Sequence, residues 1–172
     1  GLVFSLVNVT DRVHAQEQIQ YLAYYDELTG LPNRALLLDR LKQNIVDADR
    51  HKRQVAVLCL DLNDFKNVND TLGYDIGNQA IKTLAGRLSE CVRPGDTVAR
   101  LGGDEFCVAL ADLAHPDNVA EIIQKILDQF THTFHVRDHE LYLATALGAS
   151  LYPNDGRDPE TLLKNADIAM YR

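Results

Sequence analysis

The sequence predicts an α+β domain: an α/β sandwich whose central mixed, largely antiparallel sheet is flanked by helices. Three observations carry that prediction. Amphipathic helical stretches and strand-like stretches interleave along the chain. The segment Gln54 to Asp61 (QVAVLCLD) is apolar on both alternating faces, the pattern of a central strand covered from both sides. Finally, Gly102-Gly103 lies between two short apolar runs and reads as a β-hairpin, because paired glycines accept the positive φ of tight turns. That hairpin forces antiparallel pairing and separates the chain from a doubly wound parallel fold.

At 172 residues the chain holds one ordinary domain with appendages. Apolar residues at 46% and charged residues at 24% match a folded protein and not a disordered or collagenous one. A net charge of −8 argues against a sequence-independent grip on nucleic acid or anionic lipid. A polyanionic small molecule stays compatible if a metal ion or a local basic cluster meets its charge. Three widely spread cysteines without a CxxC pair point to a reducing compartment, with neither a disulfide frame nor a zinc knuckle. The longest wholly apolar run, Val55 to Leu60, is too short to span a bilayer. Residue 1 is Gly, and no basic segment precedes an apolar core as in a signal peptide. The chain is therefore expected to be a cytoplasmic piece of a longer protein.

Taken in order, residues 2–9 (LVFSLVNV) read as a short strand, followed by a polar helix from Thr10 or Asp11 to about Tyr25. That helix lacks a strong apolar stripe, so it reads as a connector. The segment 26–34 (DELTGLPNR) carries Gly30 and Pro32 and is a turn region. Residues 35–50 form an amphipathic helix through Leu38, Leu41, Ile45 and Ala48. The central strand 54–61 ends in a carboxylate, and a polar loop rich in Asn and Asp follows it. Residues 76–92 place Ile81, Leu84, Ala85 and Leu88 on one helical face. The hairpin strands are 97–101 and 106–110. Residues 117–130 are again amphipathic, 134–136 and 141–150 are strand-like, and Asp158-Pro159 caps a last helix. There is no internal repeat.

Two acidic positions stand where chemistry usually sits: Asp61 at the exit of a buried strand, and Asp104-Glu105 at the tip of the glycine hairpin. If the strands are neighbours, these carboxylates converge. Like charges brought together raise each other's pKa unless a cation shares them, and an oxygen-only ligand set suits Mg²⁺ or Mn²⁺. Successive side chains on a strand point to opposite faces, so Asp104 and Glu105 are not expected both to meet Asp61 unless the turn twists them, and one of them is expected to be the ligand. Glycines at the tip let an anion or nucleobase lie against the backbone. Phe65-Lys66 and Asn69 are expected on the loop after the strand. There the lysine suits phosphate, and the amide offers the donor and acceptor a purine edge demands. On composition alone such residues are ordinarily solvated. His132, His135 and His139 straddle a helix end and a strand, which argues against a metal cluster. Cys59 and Cys107 read as small core residues.

Four ordered motifs carry a resemblance: DELTGLPNR at 26–34, DLNDFKNVNDTLGYDIGN at 61–78, RLGGDEF at 100–106 and ADIAMYR at 166–172. At these spacings, from about Tyr24 to Arg172, the chain resembles a GGDEF domain. This is the diguanylate cyclase module, which makes cyclic di-GMP from two GTP. The resemblance implies a sheet-and-helix fold related to polymerase palms and class III adenylyl cyclases. It implies that Asp61, Asp104 and the Leu62 carbonyl bind Mg²⁺ (or Mn²⁺), and that Asp104 takes the ribose 3′-hydroxyl proton with Glu105 beside it. It further implies that Asn69 and Asn78 contact guanine, that Tyr74 lines the substrate, that Phe65 and Lys66 lie near the phosphates, and that Gly102 and Gly103 border the nucleotide. The two-fold symmetric product implies a homodimer. Arg93-Pro94-Gly95-Asp96 matches an RxxD inhibitory motif, so Arg93 and Asp96 are expected to bind product. Residues 1–25 resemble the end of a PAS-like sensor domain with its signalling helix, and residues 26–172 would be the GGDEF domain, cut short at its C-terminus. A neighbouring EAL phosphodiesterase is compatible with a non-catalytic GTP-binding or cyclic di-GMP receptor role.

The chain departs from the family pattern in places. Asn78 stands where Asp is more frequent, and an amide accepts with one atom only, so guanine recognition is expected to weaken by about 1 kcal/mol or more. Tyr74 replaces a frequent His, and Asn63 a frequent Asp. The family's triphosphate-holding Lys and Arg would follow Arg172.

Overall fold

A computed structural model describes residues 2–171. Helix α1 (Leu2–Tyr24) leads into a turn and helix α2 (Arg34–His51), which is capped by Asn33 accepting from the Leu36 amide. Strand β1 (Gln54–Leu62) is followed by helices α3 (Phe65–Leu72) and α4 (Tyr74–Glu90). The hairpin strands are β2 (Thr97–Gly102) and β3 (Glu105–Leu113). Helix α5 (Asp117–Gln129), the small hairpin β4 (Phe134–Val136) with β5 (His139–Leu141), strand β6 (Thr145–Tyr152) and helix α6 (Pro159–Met170) complete the order. The Asp158 carboxylate caps α6 by accepting from the Thr161 amide and hydroxyl.

The main sheet runs β2-β3-β1-β6, and every described pairing in it is antiparallel. The α+β class is as expected, while the "mixed" part of the expectation gives way to antiparallel pairing throughout the described sheet. Alternation along β1 and β3 sorts their side chains between two cores. Ala56, Leu58, Leu60, Phe106 and Val108 pack with α4, α5 and the small hairpin. Val55, Val57, Cys59, Cys107 and Ala109 pack with α2 and α6. β1 is thus buried on both faces, as its uninterrupted apolar run requires.

Three local expectations are corrected. Residues 2–9 belong to α1 and form no strand. No partner strand is available to them among the described residues, and a helix satisfies its backbone groups within itself. The segment after β1 is helix α3, not a loop: Phe65, Val68 and Leu72 fall at i, i+3 and i+7 and turn toward the core behind a sequence otherwise full of Asn and Asp. The stretch 141–150 is divided between β5 and β6.

Candidate active site

The site grows out of the ends of β1 and β3. Their antiparallel register sets Asp61 opposite Glu105, two residues beyond the opposed pair Cys59 and Cys107. Asp61 shares the face of β1 that Val57 and Cys59 turn toward α2 and α6. At the tip, Gly102 has φ +146° and Gly103 φ +51°, and the β2–β3 register shifts between Arg100 and Gly102. That twisted tip carries Asp104 into hydrogen-bonding reach of Asp61 while Glu105 stays in register across from it. Both acids therefore face Asp61, the arrangement that strand alternation allows only where the turn is twisted. The positive φ values that glycine supplies are the reason.

Burial, followed by hydrogen bonding with Asp104 and the charges of Asp104 and Glu105, pushes the Asp61 carboxyl up to about 6. Its Oδ1 is buried without a hydrogen-bond partner. The strand beneath is pinned by Thr145, whose hydroxyl donates to the Asp61 carbonyl at 2.9 Å. Tyr171, just past α6, brings its phenol to Asp61, whose negative charge raises the tyrosine's pKa. The motif around Tyr171 was legible in the sequence, but this contact was not.

Beside the carboxylates lies a cleft of about 320 Å³. One wall is α3, which contributes Phe65, Lys66 and Asn69, residues that recur along one side of the helix. The other is α4, where Tyr74 and Asn78 stand one turn apart, and Gly103 and Asp104 close the end. Six expected site residues (Phe65, Lys66, Asn69, Tyr74, Asn78 and Gly103) thus meet in one place with Asp104, whereas Gly102 is not part of the wall. Gly77 lets the walls close: a Cβ there would lie 1.8 Å from Asn69 Oδ1 and 3.3 Å from the Phe65 ring. Asn69 Oδ1 is buried and has no partner.

Arg100 was read only as part of a motif, yet it also lines the cleft and holds its floor. Its Nε and Nη2 donate to the Gly103 carbonyl at 3.0 and 2.8 Å. A buried-strand arginine two residues before a glycine tip is the signal that could have found it.

Arg93 and Asp96 form a second constellation, at the entrance to β2. Asp96, whose side chain is wholly buried, accepts from the Arg93 and Ala111 amides, both at 3.0 Å. Arg93 donates to the Ala111 carbonyl at 2.7 Å, and more than half of its side chain stays exposed. The histidines do not gather: among the described residues no group of three or more His, Cys, Asp or Glu side chains is placed to hold a metal. Nor is any described helix long and apolar enough to cross a membrane.

A family model described as "Diguanylate cyclase, GGDEF domain" matches residues 23–172. The bifunctional diguanylate cyclase/cyclic di-GMP phosphodiesterase MucR of Pseudomonas aeruginosa is 41% identical over 165 residues, covering 96% of this chain and 24% of that protein. The cyclic di-GMP phosphodiesterase NbdA of the same species is 38% identical over 170 residues, covering 99% of this chain and 21% of that one. The solved GGDEF domain of TpbB from Pseudomonas aeruginosa superposes with a TM-score of 0.83 at 39% identity, covering 86% of this chain and 87% of that one. The chain spans between a fifth and a quarter of the length of the first two relatives.

Proposed function

The chain belongs to the GGDEF diguanylate cyclase family, and from that membership we propose that it condenses two GTP into cyclic di-GMP. One observation carries the reading: the Asp61 carboxylate, its Oδ1 orphaned and its pKa raised beside Asp104, adjoins a cleft that gathers Asn69, Tyr74, Asn78 and Lys66. Two acids held together with an unused acceptor fit a hard divalent cation, Mg²⁺ or Mn²⁺, which Asp61, Asp104 and the Leu62 carbonyl would hold. Such an ion neutralises triphosphate charge and makes the α-phosphate a better electrophile.

The residues themselves do the positioning. Phe65 and Tyr74 offer flat apolar surface to a base, Asn69 and Asn78 meet its polar edge, and Lys66 meets phosphate as a point charge. Asp104 accepts the proton of the ribose 3′-hydroxyl, with Glu105 beside it adding negative charge that favours the transfer. The freed oxygen then displaces pyrophosphate from the partner nucleotide. The product is two-fold symmetric, so two copies of the domain face each other about a C2 axis, each presenting one GTP. Arg93, oriented by buried Asp96, binds the phosphate or base edge of the product and gives feedback inhibition.

GTP as substrate and three unpaired cysteines suit a cytoplasmic setting. Helix α1 acts as a signalling helix from a PAS-like sensor, and an EAL phosphodiesterase is a compatible neighbour, since one relative is named as carrying both activities. A second reading, a non-catalytic GTP-binding or cyclic di-GMP receptor module, draws support from Asn78 and from a relative named only as a phosphodiesterase. Incubating the dimeric full-length protein with GTP and Mg²⁺ separates the two. Appearance of cyclic di-GMP supports the cyclase, and its absence while GTP or cyclic di-GMP still binds selects the regulatory module.

A further inference from the structure

We propose that Tyr171 is a positioning residue for Asp61: its phenol holds the carboxylate in place as a cation ligand, and the close seating of α6 on Gly148 delivers it there. The inference rests on the reading of Asp61 as a ligand for a divalent ion and adds a residue to that site.

Helix α6 crosses the sheet on the face that carries Asp61. Val57, Cys59 and Asp61 alternate along β1, and their register partners on β6 are Ser150, Gly148 and Ala146. Near the start of α6, the Ser150 hydroxyl donates to the Leu162 carbonyl at 2.6 Å. Two residues back along β6, a Cβ on Gly148 would overlap the Ala166 carbonyl and the Met170 amide, so the helix lies directly on the strand there. α6 therefore runs from Ser150 past Gly148, and the next position on that line is Ala146, opposite Asp61. Tyr171 follows Met170 at this end of the helix, and its phenol stands beside the Asp61 carboxylate, with Asp167 and Glu105 the other charges near it. A side chain at position 148 would lift the helix end away from that place.

Asp61 needs such a partner. Asp104 and Glu105 reach it as fellow carboxylates, so once ionised they supply acceptors and no donor. Ala146 has no polar side chain to offer, and the Thr145 hydroxyl goes to the Asp61 carbonyl and not to its carboxylate. The Leu62 amide supplies a backbone donor, and Tyr171 brings a hydroxyl. Carboxylates that ligate metals are themselves held by hydrogen bonds, which orient their lone pairs and strengthen binding. A phenol suits this task because it donates a proton while staying neutral, whereas a lysine would repel the ion. Tyr171 is 68% exposed, so it packs little and its loss reads as a loss of orientation.

The test follows Mn²⁺ binding by the full-length protein through the paramagnetic resonance signal of the free ion, beside kcat, the KM for GTP and thermal unfolding. Tyr171→Phe keeps the ring and removes the donor. It should weaken Mn²⁺ about three- to tenfold and lower kcat by a similar factor at limiting metal. The KM for GTP at saturating metal should stay within about twofold, and Tm within about 2 °C. Tyr171→3-fluorotyrosine retains the hydroxyl and should bind Mn²⁺ as the parent does. Gly148→Ala should bring about the same loss by lifting α6, and combining it with Tyr171→Phe should cost little more, since both remove one contact. Parental Mn²⁺ affinity in Tyr171→Phe, or additive losses in the double variant, overturns the proposal. If Gly148→Ala does not fold, the comparison of Tyr171→Phe with Tyr171→3-fluorotyrosine decides alone. Failure of the parent itself to bind Mn²⁺ removes the cation-site reading as well, whereas tight binding that ignores the change at position 171 removes this inference alone.

Discussion

Arg100 and Asp26, 74 residues apart in the chain, are joined by Nη1 of the arginine, which donates to both carboxylate oxygens at 3.0 and 3.1 Å. The same guanidinium holds the Gly103 carbonyl, so the turn after α1 and the tip of the glycine hairpin share one residue. Burial opposes ionisation of Asp26, but the Thr29 hydroxyl and amide and the Arg100 charge outweigh it and hold its pKa below the usual range.

Removing Arg100 strands a mostly buried carboxylate and frees the tip. Arg100→Ala should cost about 2–4 kcal/mol of stability in urea unfolding. It should also lower kcat more than it raises the KM for GTP, since the tip carries Asp104. Arg100→Lys keeps the charge but loses the fork, and should recover less than half of the lost stability. Because the pKa of Asp26 is depressed, its contribution is present above its unfolded value of 3.8 and disappears as pH falls through the lower folded value. A loss under about 0.5 kcal/mol would show the clamp to be incidental.

The acids at the site make the opposite prediction. Asp61 titrates at about 6 in the folded chain against 3.8 for an ordinary aspartate, so the native state holds an extra proton between those values. Stability without divalent cation should therefore fall as pH rises through that window. Added Mg²⁺ should reverse the slope, since the ion binds the ionised pair and displaces the proton. Carboxyl ¹³C titration reads this directly. Asp104→Asn removes one like charge and should bring the Asp61 value down toward the ordinary range, and a value still near 6 would leave burial and the Glu105 charge as the causes.

These relationships were unequally visible in the sequence. β1, the hairpin and α2 are legible because apolar periodicity and glycine pairing act locally. Asp61 and Asp104 are legible for the same reason, since they terminate those elements. Helix α3 was hidden because three apolar residues at helical spacing are diluted by Asn67, Asn69 and Asp70, whose side chains compete for backbone hydrogen bonds in short peptides. The strand expected at residues 2–9 rested on composition, and composition does not reveal whether a partner strand exists. The roles of Arg100 and Tyr171 depend on contacts across 74 and 110 positions, to Asp26 and Asp61, which periodicity cannot encode.

Gly77 and Gly86 share α4 and separate packing from propensity. At Gly86 an added Cβ meets nothing within 4 Å, so Gly86→Ala should stabilise the protein by up to about 1 kcal/mol and leave nucleotide affinity alone. At Gly77 the new methyl collides with the Asn69 amide and presses on Phe65. Gly77→Ala should show little net stability change, because propensity offsets the clash, yet weaken binding of a non-hydrolysable GTP analogue by about tenfold or more. Equal affinities for the two variants, measured by calorimetry, would mean that the Asn69 amide does not face the base.

Arg93 and Asp96 stand in one motif but carry different loads. The Asp96 carboxylate satisfies two backbone amides from a wholly buried position, so Asp96→Ala leaves both amides without their acceptor and should cost about 1–3 kcal/mol. Arg93 is largely exposed, and its bonds to the Ala111 carbonyl and Asp96 can be replaced by water. Arg93→Ala should therefore change stability by about 1 kcal/mol or less. Both variants should lose cyclic di-GMP binding, the first through a displaced arginine and the second through an absent one. Arg93→Lys, which restores charge without the planar fork, should recover stability but not product affinity, because an ammonium cannot span two acceptors. If Arg93→Lys binds product as tightly as the parent, charge alone holds the ligand, and the buried carboxylate serves the β2–β3 backbone and not the orientation of Arg93.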